Sequence, residues 1–380
     1  MKGLALALSA FVAAPLAAQQ PPTQMPIDTS PQPVGKIDSG GFRVTPIFAP
    51  AYNPEMQFLV AGGVLLSWKA GVNPLRIQRS TLSSTISFSS TGAINVSNTL
   101  TSFWLANRLR ITADLSYKDM PDNYWGVGYT AGLEPTSGDS STQYQREWFK
   151  FNPRAVWGVS GHLYVGGMLE WNHTIATAVN PFMAQDSAYL AGGNDINNVG
   201  LGLAIQYDSR DMAVNAYNGL YVAFNVTGYG HYVGGERSYQ IYLLDYRQYR
   251  TLGRPGRTLA WVVKAKVGAH DVPWPELPLF GTSADIRGYV EGRFRDRSVL
   301  LGVVEYRYMF QRGNGQLSRH GFVVWTGGGS LGQDLRSLEG FLPNAGVGYR
   351  FELQPRSNVR MDAGFGKRSW GVYFNFTEAF

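Results

Sequence analysis

From about residue 41 onward, apolar positions recur every second residue, the period of a strand and not of a helix. In 108–117, Leu109, Ile111, Ala113, Leu115 and Tyr117 alternate with Arg108, Arg110, Thr112, Asp114 and Ser116. In 220–227, Leu220, Val222, Phe224 and Val226 oppose Tyr221, Ala223, Asn225 and Thr227. Ala345, Val347, Tyr349, Phe351 and Leu353 face away from Gly346, Gly348, Arg350 and Glu352, and Val359, Met361, Ala363 and Phe365 from Arg360, Asp362, Gly364 and Gly366. Near the end, Val372, Phe374 and Phe376 stand against Tyr373, Asn375 and Thr377. The pattern predicts strands near 43–48, 57–69, 79–90, 93–104, 108–118, 144–158, 161–173, 198–208, 219–230, 237–249, 257–269, 297–310, 319–330, 343–353, 358–366 and 370–379. That makes 16 strands, an even number, as a single-chain closed barrel requires. The longest connections, near 119–143, 174–197 and 270–296, follow odd-numbered strands, where large external loops belong.

A soluble sandwich also alternates, with its apolar face inward. Three features favour the inverted, membrane version. Many predicted strands exceed the five or six residues usual in soluble sheets. Their polar face is rich in Gly, Ser, Thr and Asn, and their ends carry aromatics, as in Tyr242, Tyr246 and Tyr249 or Tyr306, Tyr308 and Phe310. Composition agrees: charged residues are 16%, against roughly 25% in soluble domains. The balance is made up by 45 Gly, neutral polar residues, and 10 Trp, 21 Tyr and 20 Phe. Mean hydropathy is −0.15 and no run of about 20 apolar residues occurs, which excludes a bundle of membrane helices. The expected fold is therefore all-β: a transmembrane antiparallel β-barrel.

There is no cysteine, which fits a chain stabilised by a closed ladder and not by disulfides. The net charge of +6 is dispersed, without a basic stripe for nucleic acid. At the start, Met1-Lys2, an apolar core from Leu4 to Leu16 and the small residues Ala17-Ala18 have the layout of a secretory signal peptide over 1–18. Residues 19–40 are Pro/Gln-rich and read as a disordered periplasmic tail. The barrel is expected over 41–380.

Between strands 11 and 12 the chain reads Phe280-Gly281-Thr282-Ser283-Ala284-Asp285-Ile286-Arg287-Gly288-Tyr289, then Arg293-Phe294-Arg295-Asp296. The penultimate strand carries Asp362-Ala363-Gly364. Between strands 8 and 9 stand Tyr207-Asp208-Ser209-Arg210-Asp211 and Asn218-Gly219-Leu220-Tyr221. Together these motifs resemble the BamA/TamA superfamily of outer-membrane assembly factors, the bacterial surface antigen family, over about 41–380. The resemblance implies a long loop between strands 11 and 12 that folds back into the lumen, with Ile286, Arg287, Gly288 and Tyr289 as its motif and Asp362 and Gly364 as the wall motif it meets. The period independently puts Asp362 on the lumenal face, where a carboxylate needs a cation. Arg287 can offer a bidentate fork, Gly288 a tight backbone and Tyr289 a wedge. Glu305, Arg307, Arg350 and Glu352 share the lumenal parity and can join the network. The aromatic last strand with Phe374, Phe376 and Phe380 looks like the signal by which outer-membrane assembly machinery recognises its clients.

The implied setting is the outer membrane of a Gram-negative-type bacterium, reached through the periplasm. The implied partners are its lipids and assembly machinery, with room for a separate periplasmic protein, and no nucleic acid. The assembly factors carry POTRA domains before the barrel. Here only about 22 residues lie between signal and barrel, which speaks against insertase activity and for a barrel-only member, similar also to the barrel of patatin-type autotransporters.

No catalytic constellation stands out, and no metal or cofactor is expected. The five His (His162, His173, His231, His270 and His320) show no metal-ligand spacing, and neither a G-x-S-x-G elbow nor a P-loop occurs. His173, at a strand end near several Ser, is the best available partner for a lipid-facing nucleophile. Three functions stay open: a barrel-only relative of assembly and transport factors, a passive pore or structural surface antigen, and an enzyme embedded in the barrel.

Overall fold

The computed structural model describes residues 41–53, 57–70, 77–134, 141–354 and 356–380. The signal peptide and tail expected over 1–40 lie outside the described residues. One antiparallel sheet of 16 strands runs in chain order through the molecule. Its strands are β1 (Arg43–Asn53), β2 (Gln57–Trp68), β3 (Ser80–Ser89), β4 (Ile94–Trp104), β5 (Leu109–Asn123), β6 (Gln143–Ser160), β7 (Leu163–Thr177) and β8 (Asp195–Asp208). They continue as β9 (Gly219–Tyr229), β10 (Tyr239–Thr251), β11 (Arg257–His270), β12 (Ser298–Gln311), β13 (Leu317–Gly332), β14 (Glu339–Gln354), β15 (Ser357–Gly366) and β16 (Ser369–Phe376). Most exceed the 9–11 residues that span a bilayer when tilted.

The sixteen expected strands are found at the expected places, with several ends shifted: β1, expected to stop at 48, runs on to Asn53, and β7, expected over 161–173, covers Leu163–Thr177. Strand β5 runs on to Asn123, so the connection before β6 covers 124–142. The last strand stops at Phe376, not near 379. Thr377 takes φ 65 there, and residues 378–380 leave the wall for the lumen, where Glu378, Ala379 and Phe380 are buried.

Alternation sorts the wall into two faces. On β14, Val347 is 55% exposed while Arg350 is 1% exposed. Large apolar side chains such as Phe48, Leu203 and Phe365 point outward into what must be hydrocarbon, since no soluble protein exposes a band of this kind. Each strand from β2 to β15 is hydrogen-bonded to a neighbour on both sides, as backbone polar groups in lipid require.

The edges of the sheet, β1 and β16, approach within 8 Å between Cα atoms. No registered ladder joins them among the described residues. Pro46 and Pro50 suit β1 to this edge position, because proline has no N–H to give to a ladder. From β14, Gln354 reaches past β15 and β16 and donates to Thr45 Oγ1 (2.7 Å), while Ser67 Oγ donates to Gln354 Oε1 (2.6 Å).

The lumen is partly filled. The connection 271–297 turns inward and carries a two-residue ladder pairing Leu279–Phe280 with Phe294–Arg295. Two other long connections close over it: the described part of 124–142, with helix α1 (Tyr129–Leu133), and 178–194, with α2 (Pro181–Gln185) and α3 (Ser187–Gly192). Trp274, fully buried, packs edge-on against Tyr124 and Tyr144 with ring centroids 5.6 and 5.8 Å apart. The four residues Gly192 to Asp195 form the end of α3 and the entry to β8.

Candidate functional site: an arginine pin through the lumen

The inward connection has an apolar side and a charged tip. Phe280, Ile286, Tyr289 and Phe294 are buried against Val262, Val299, Leu301, Val303 and Trp325 of the wall. Each such side chain contributes about 1.5–3 kcal/mol of burial. The motif Ile286 to Tyr289 is thereby seated against β12–β15, and Arg287 extends from it fully buried.

Arg287 Nη1 donates to Asp362 Oδ2 at 2.8 Å. Its Nη2 is hydrogen-bonded to Glu305 Oε1, and its guanidinium lies 3.6 Å from the centroid of the Trp325 ring. Two wall carboxylates and one indole face thus hold a single cation. Arg307 Nε donates to the other oxygen of Glu305 at 2.9 Å. Asp362 also accepts from Arg350 Nη1 (2.6 Å) and Arg360 Nη1 (2.6 Å). Arg350 continues to Glu378 at 2.8 Å, and Arg307 Nη2 to the carbonyl of Phe380 at 2.9 Å. The inward-turned last residues therefore close the network from below.

Backbone geometry lets the loop come this close. Gly288 has φ +111, a conformation that favours glycine. A Cβ there would stand 2.7 Å from Phe365 N, and one on Gly364 would stand 2.7 Å from the Arg287 carbonyl. Gly288 N donates to Tyr373 Oη at 2.9 Å, and Tyr373 Oη to the Tyr289 carbonyl at 3.1 Å. Tyr289 Oη donates to the Pro343 carbonyl at 2.6 Å and accepts from Lys367 N at 2.8 Å.

Of the residues expected in the network, Glu305, Arg307 and Arg350 lie in it and Glu352 lies outside it: Glu352 accepts from Arg356 N at 3.2 Å, near the turn. Sequence reasoning missed Trp325, Arg360, Glu378 and Asn344, whose Nδ2 donates to the Arg287 carbonyl. Phe380, read as part of an assembly signal, is buried beside Tyr249 with Arg307 over its ring (5.0 Å). Phe374, on the outward parity of the edge strand β16, borders the cavity there, and the side chain of Phe376 lies outside the described residues.

The third motif proves to be a lock on the turn 209–218. Asp208 pairs with Arg110 (2.5 Å) and Arg210 (2.8 Å). Asp211 Oδ1 accepts from the backbone of Met212 (3.0 Å), Tyr217 (3.0 Å) and Asn218 (3.3 Å). Arg356 bonds Asp211 (2.8 Å) and the Asn215 carbonyl (2.6 Å), with Tyr217 3.6 Å from its guanidinium.

Near the opposite mouth, Glu276 of the inward loop accepts from Asn172 at 3.3 Å. Burial pushes its pKa up from the usual carboxylate value; Lys266 opposes and Glu170 adds to the shift. His173 pairs with Asp195 at 2.7 Å, and no serine is bonded to it among the described residues. No group of three or more His, Cys, Asp or Glu that could hold a metal ion occurs among the described residues.

No curated protein matches the sequence significantly. Among solved structures, BamA from Haemophilus ducreyi lacking POTRA domains 1-3 is similar at TM-score 0.56 and 12% identity, covering 88% of this chain and 69% of that one. CdiB from Acinetobacter baumannii gives TM-score 0.53 at 12% identity over 89% of this chain and 65% of its own. CdiB from Escherichia coli gives 0.54 at 12% over 89% and 62%. The chain thus spans just under two thirds of either CdiB, and identities this low establish the shared fold alone. The family follows from the sequence itself, since the model of the Omp85 superfamily domain matches residues 72–369. With that match spanning the inward loop and its arginine pin, the chain belongs to the Omp85 superfamily of bacterial outer-membrane barrels.

Proposed function

We propose that this chain is a loop-plugged outer-membrane barrel, without catalytic activity of its own, that works in protein insertion or in transport across the outer membrane. It reaches the membrane by export through the periplasm, is itself folded there by the outer-membrane assembly machinery, and operates with a separate periplasmic protein. The observation that carries this reading is Arg287, buried in the lumen at the tip of a long loop and bonded to Asp362 and Glu305 of the wall. A passive conduit has no use for a buried, multiply paired cation on a retractable loop. A pinned loop gives two discrete states, seated and released, that a client or partner can bias.

The test is reconstitution. Purified barrel in liposomes, given an unfolded outer-membrane β-barrel client, accelerates the client's folding over empty liposomes, and more so with the periplasmic partner recovered by crosslinking in cells. A client folding rate equal to that in empty liposomes, with a normal outer-membrane proteome in a depletion strain, contradicts a role in insertion and leaves transport.

A second reading, a pore, has one observation in its favour. A cavity of about 750 Å³ lies beside the loop, lined by Thr81, Ser83, Thr85, Asn95, Ser97 and Thr99 among others. These uncharged side chains make a wet wall suited to small solutes.

A further inference from the structure

The outer surface of the barrel carries a group of guanidiniums that take no part in the lumenal pin. At the short-turn end, β10 and β11 are joined through 252–256, and β12 and β13 through 312–316. Tyr308 points outward on β12 and stacks on Phe322 of β13 at 5.2 Å, with Phe310 5.5 Å away. This is an aromatic girdle at headgroup depth. Two guanidiniums lie over the same tyrosine ring: Arg254, from the turn, at 5.0 Å, and Arg257, the cross-strand partner of Tyr308, at 5.4 Å. Arg250 and Arg312 are exposed on either side.

None of these four arginines has a carboxylate within ion-pair distance among the described residues, and the sequence from 246 to 270 and from 306 to 333 contains no Asp or Glu. Arg254 is held rigidly, donating to the carbonyls of Pro255 (3.0 Å) and Met309 (3.3 Å), while its Nε has no partner. Like charges so placed repel unless an anion sits among them. Guanidinium forks match phosphate oxygens, and the apolar wall directly beyond Tyr308, with Tyr306, Val304 and Val324, suits an acyl chain.

We propose that this rim binds an anionic phospholipid in the membrane leaflet on the short-turn side. Its phosphate is received by Arg254 and Arg257 with Arg250 and Arg312 around it, and its acyl chain lies on Tyr308, Phe310 and Phe322. The site fixes the height and tilt of β10–β13, the part of the wall on which the inward loop begins and ends.

The purified barrel in detergent, titrated with phosphatidylglycerol, phosphatidylcholine or glycerol 3-phosphate and read by native mass spectrometry, tests this. Phosphatidylglycerol is expected to bind saturably and about tenfold more tightly than phosphatidylcholine, and Arg254→Gln with Arg257→Gln to abolish that preference. Equal binding of the two lipids, or a preference unchanged in the double variant, overturns the site. Competition by glycerol 3-phosphate at the lipid's own concentration overturns the lipid and leaves a soluble-phosphate site. Should the double variant not fold, photoactivatable phosphatidylglycerol on the unaltered barrel decides: label confined to 250–257 and 306–322 supports the site, and label spread around the girdle refutes it.

Discussion

Gly288 of the inward loop and Gly364 of β15 meet backbone to backbone inside the barrel, so close that a Cβ on either would stand 2.7 Å from the other segment's main chain. That contact sets the depth at which Arg287 enters. Gly364→Ala changes no charge and removes no hydrogen bond, yet it must push the loop away, at a cost of about 1–3 kcal/mol for overpacking. The expected result is a barrel that still folds, with faster hydrogen exchange across 280–296. Unchanged protection there would show that the loop is seated by other contacts.

Acidity should tighten the loop's outer half. Glu276 titrates above the ordinary carboxylate range because burial disfavours its charged form. A raised folded-state pKa means stabilisation that is complete below the unfolded value and lost as pH rises through the folded one. As pH falls through the raised folded-state pKa of Glu276, channel openings are therefore expected to become rarer. Glu276→Gln, fixed in the uncharged form, should show at pH 7.5 the quiet behaviour of the parent barrel in acid. An identical pH response in the variant would assign the effect elsewhere, for instance to Asp296, which burial also shifts upward.

The last residues act as a structural latch. Glu378 is paired with Arg350 and Asn358, and Phe380 is packed against Tyr249 and Ala216. Removing Glu378's charge leaves Arg350 with one anion fewer in a buried site, and breaking a buried pair costs about 3–5 kcal/mol. Glu378→Gln and Phe380→Ala are each expected to lower the midpoint of urea unfolding from liposomes. A variant that inserts normally but unfolds earlier separates this native-state role from any role of Phe380 in recognition during assembly. A midpoint unchanged in both would remove the latch.

At the same short-turn mouth, Arg356 holds the turn 209–218 through Asp211, the Asn215 carbonyl and Tyr217. Arg356→Ala should expose that turn to protease added on the short-turn side, with cleavage near Arg210. Equal resistance of parent and variant would mean that Asp211's own backbone bonds suffice.

Much of this was legible in the alternation. Parity alone put Asp362, Glu305, Arg307 and Arg350 inside, and the loop motif supplied Arg287. Parity gives the face and not the height: Trp325 and Arg360 share the lumenal side with many others, and only the register, with Arg360 opposite Arg350 and Glu305 opposite Trp325, places them at the depth of Arg287. Glu378 was out of reach for a different reason. Continued alternation past Phe376 would send it outward with Val372 and Phe374, but Thr377's left-handed backbone reverses the direction. A non-glycine residue at positive φ is not announced by any pattern. Glu352 has the right parity but lies one inward position beyond Arg350, at the turn, where it accepts from Arg356 N.

The central claim is that Arg287 pins a plug, and single-channel recording in planar bilayers tests it most directly. The unaltered barrel is expected to show small, fluctuating conductance, and Arg287→Ala or Asp362→Ala to produce large or unstable openings, since each removes a buried ion pair that holds the loop tip to the wall. A steady open pore, the same in the parent and in both variants, would contradict the pin and leave the barrel a simple channel.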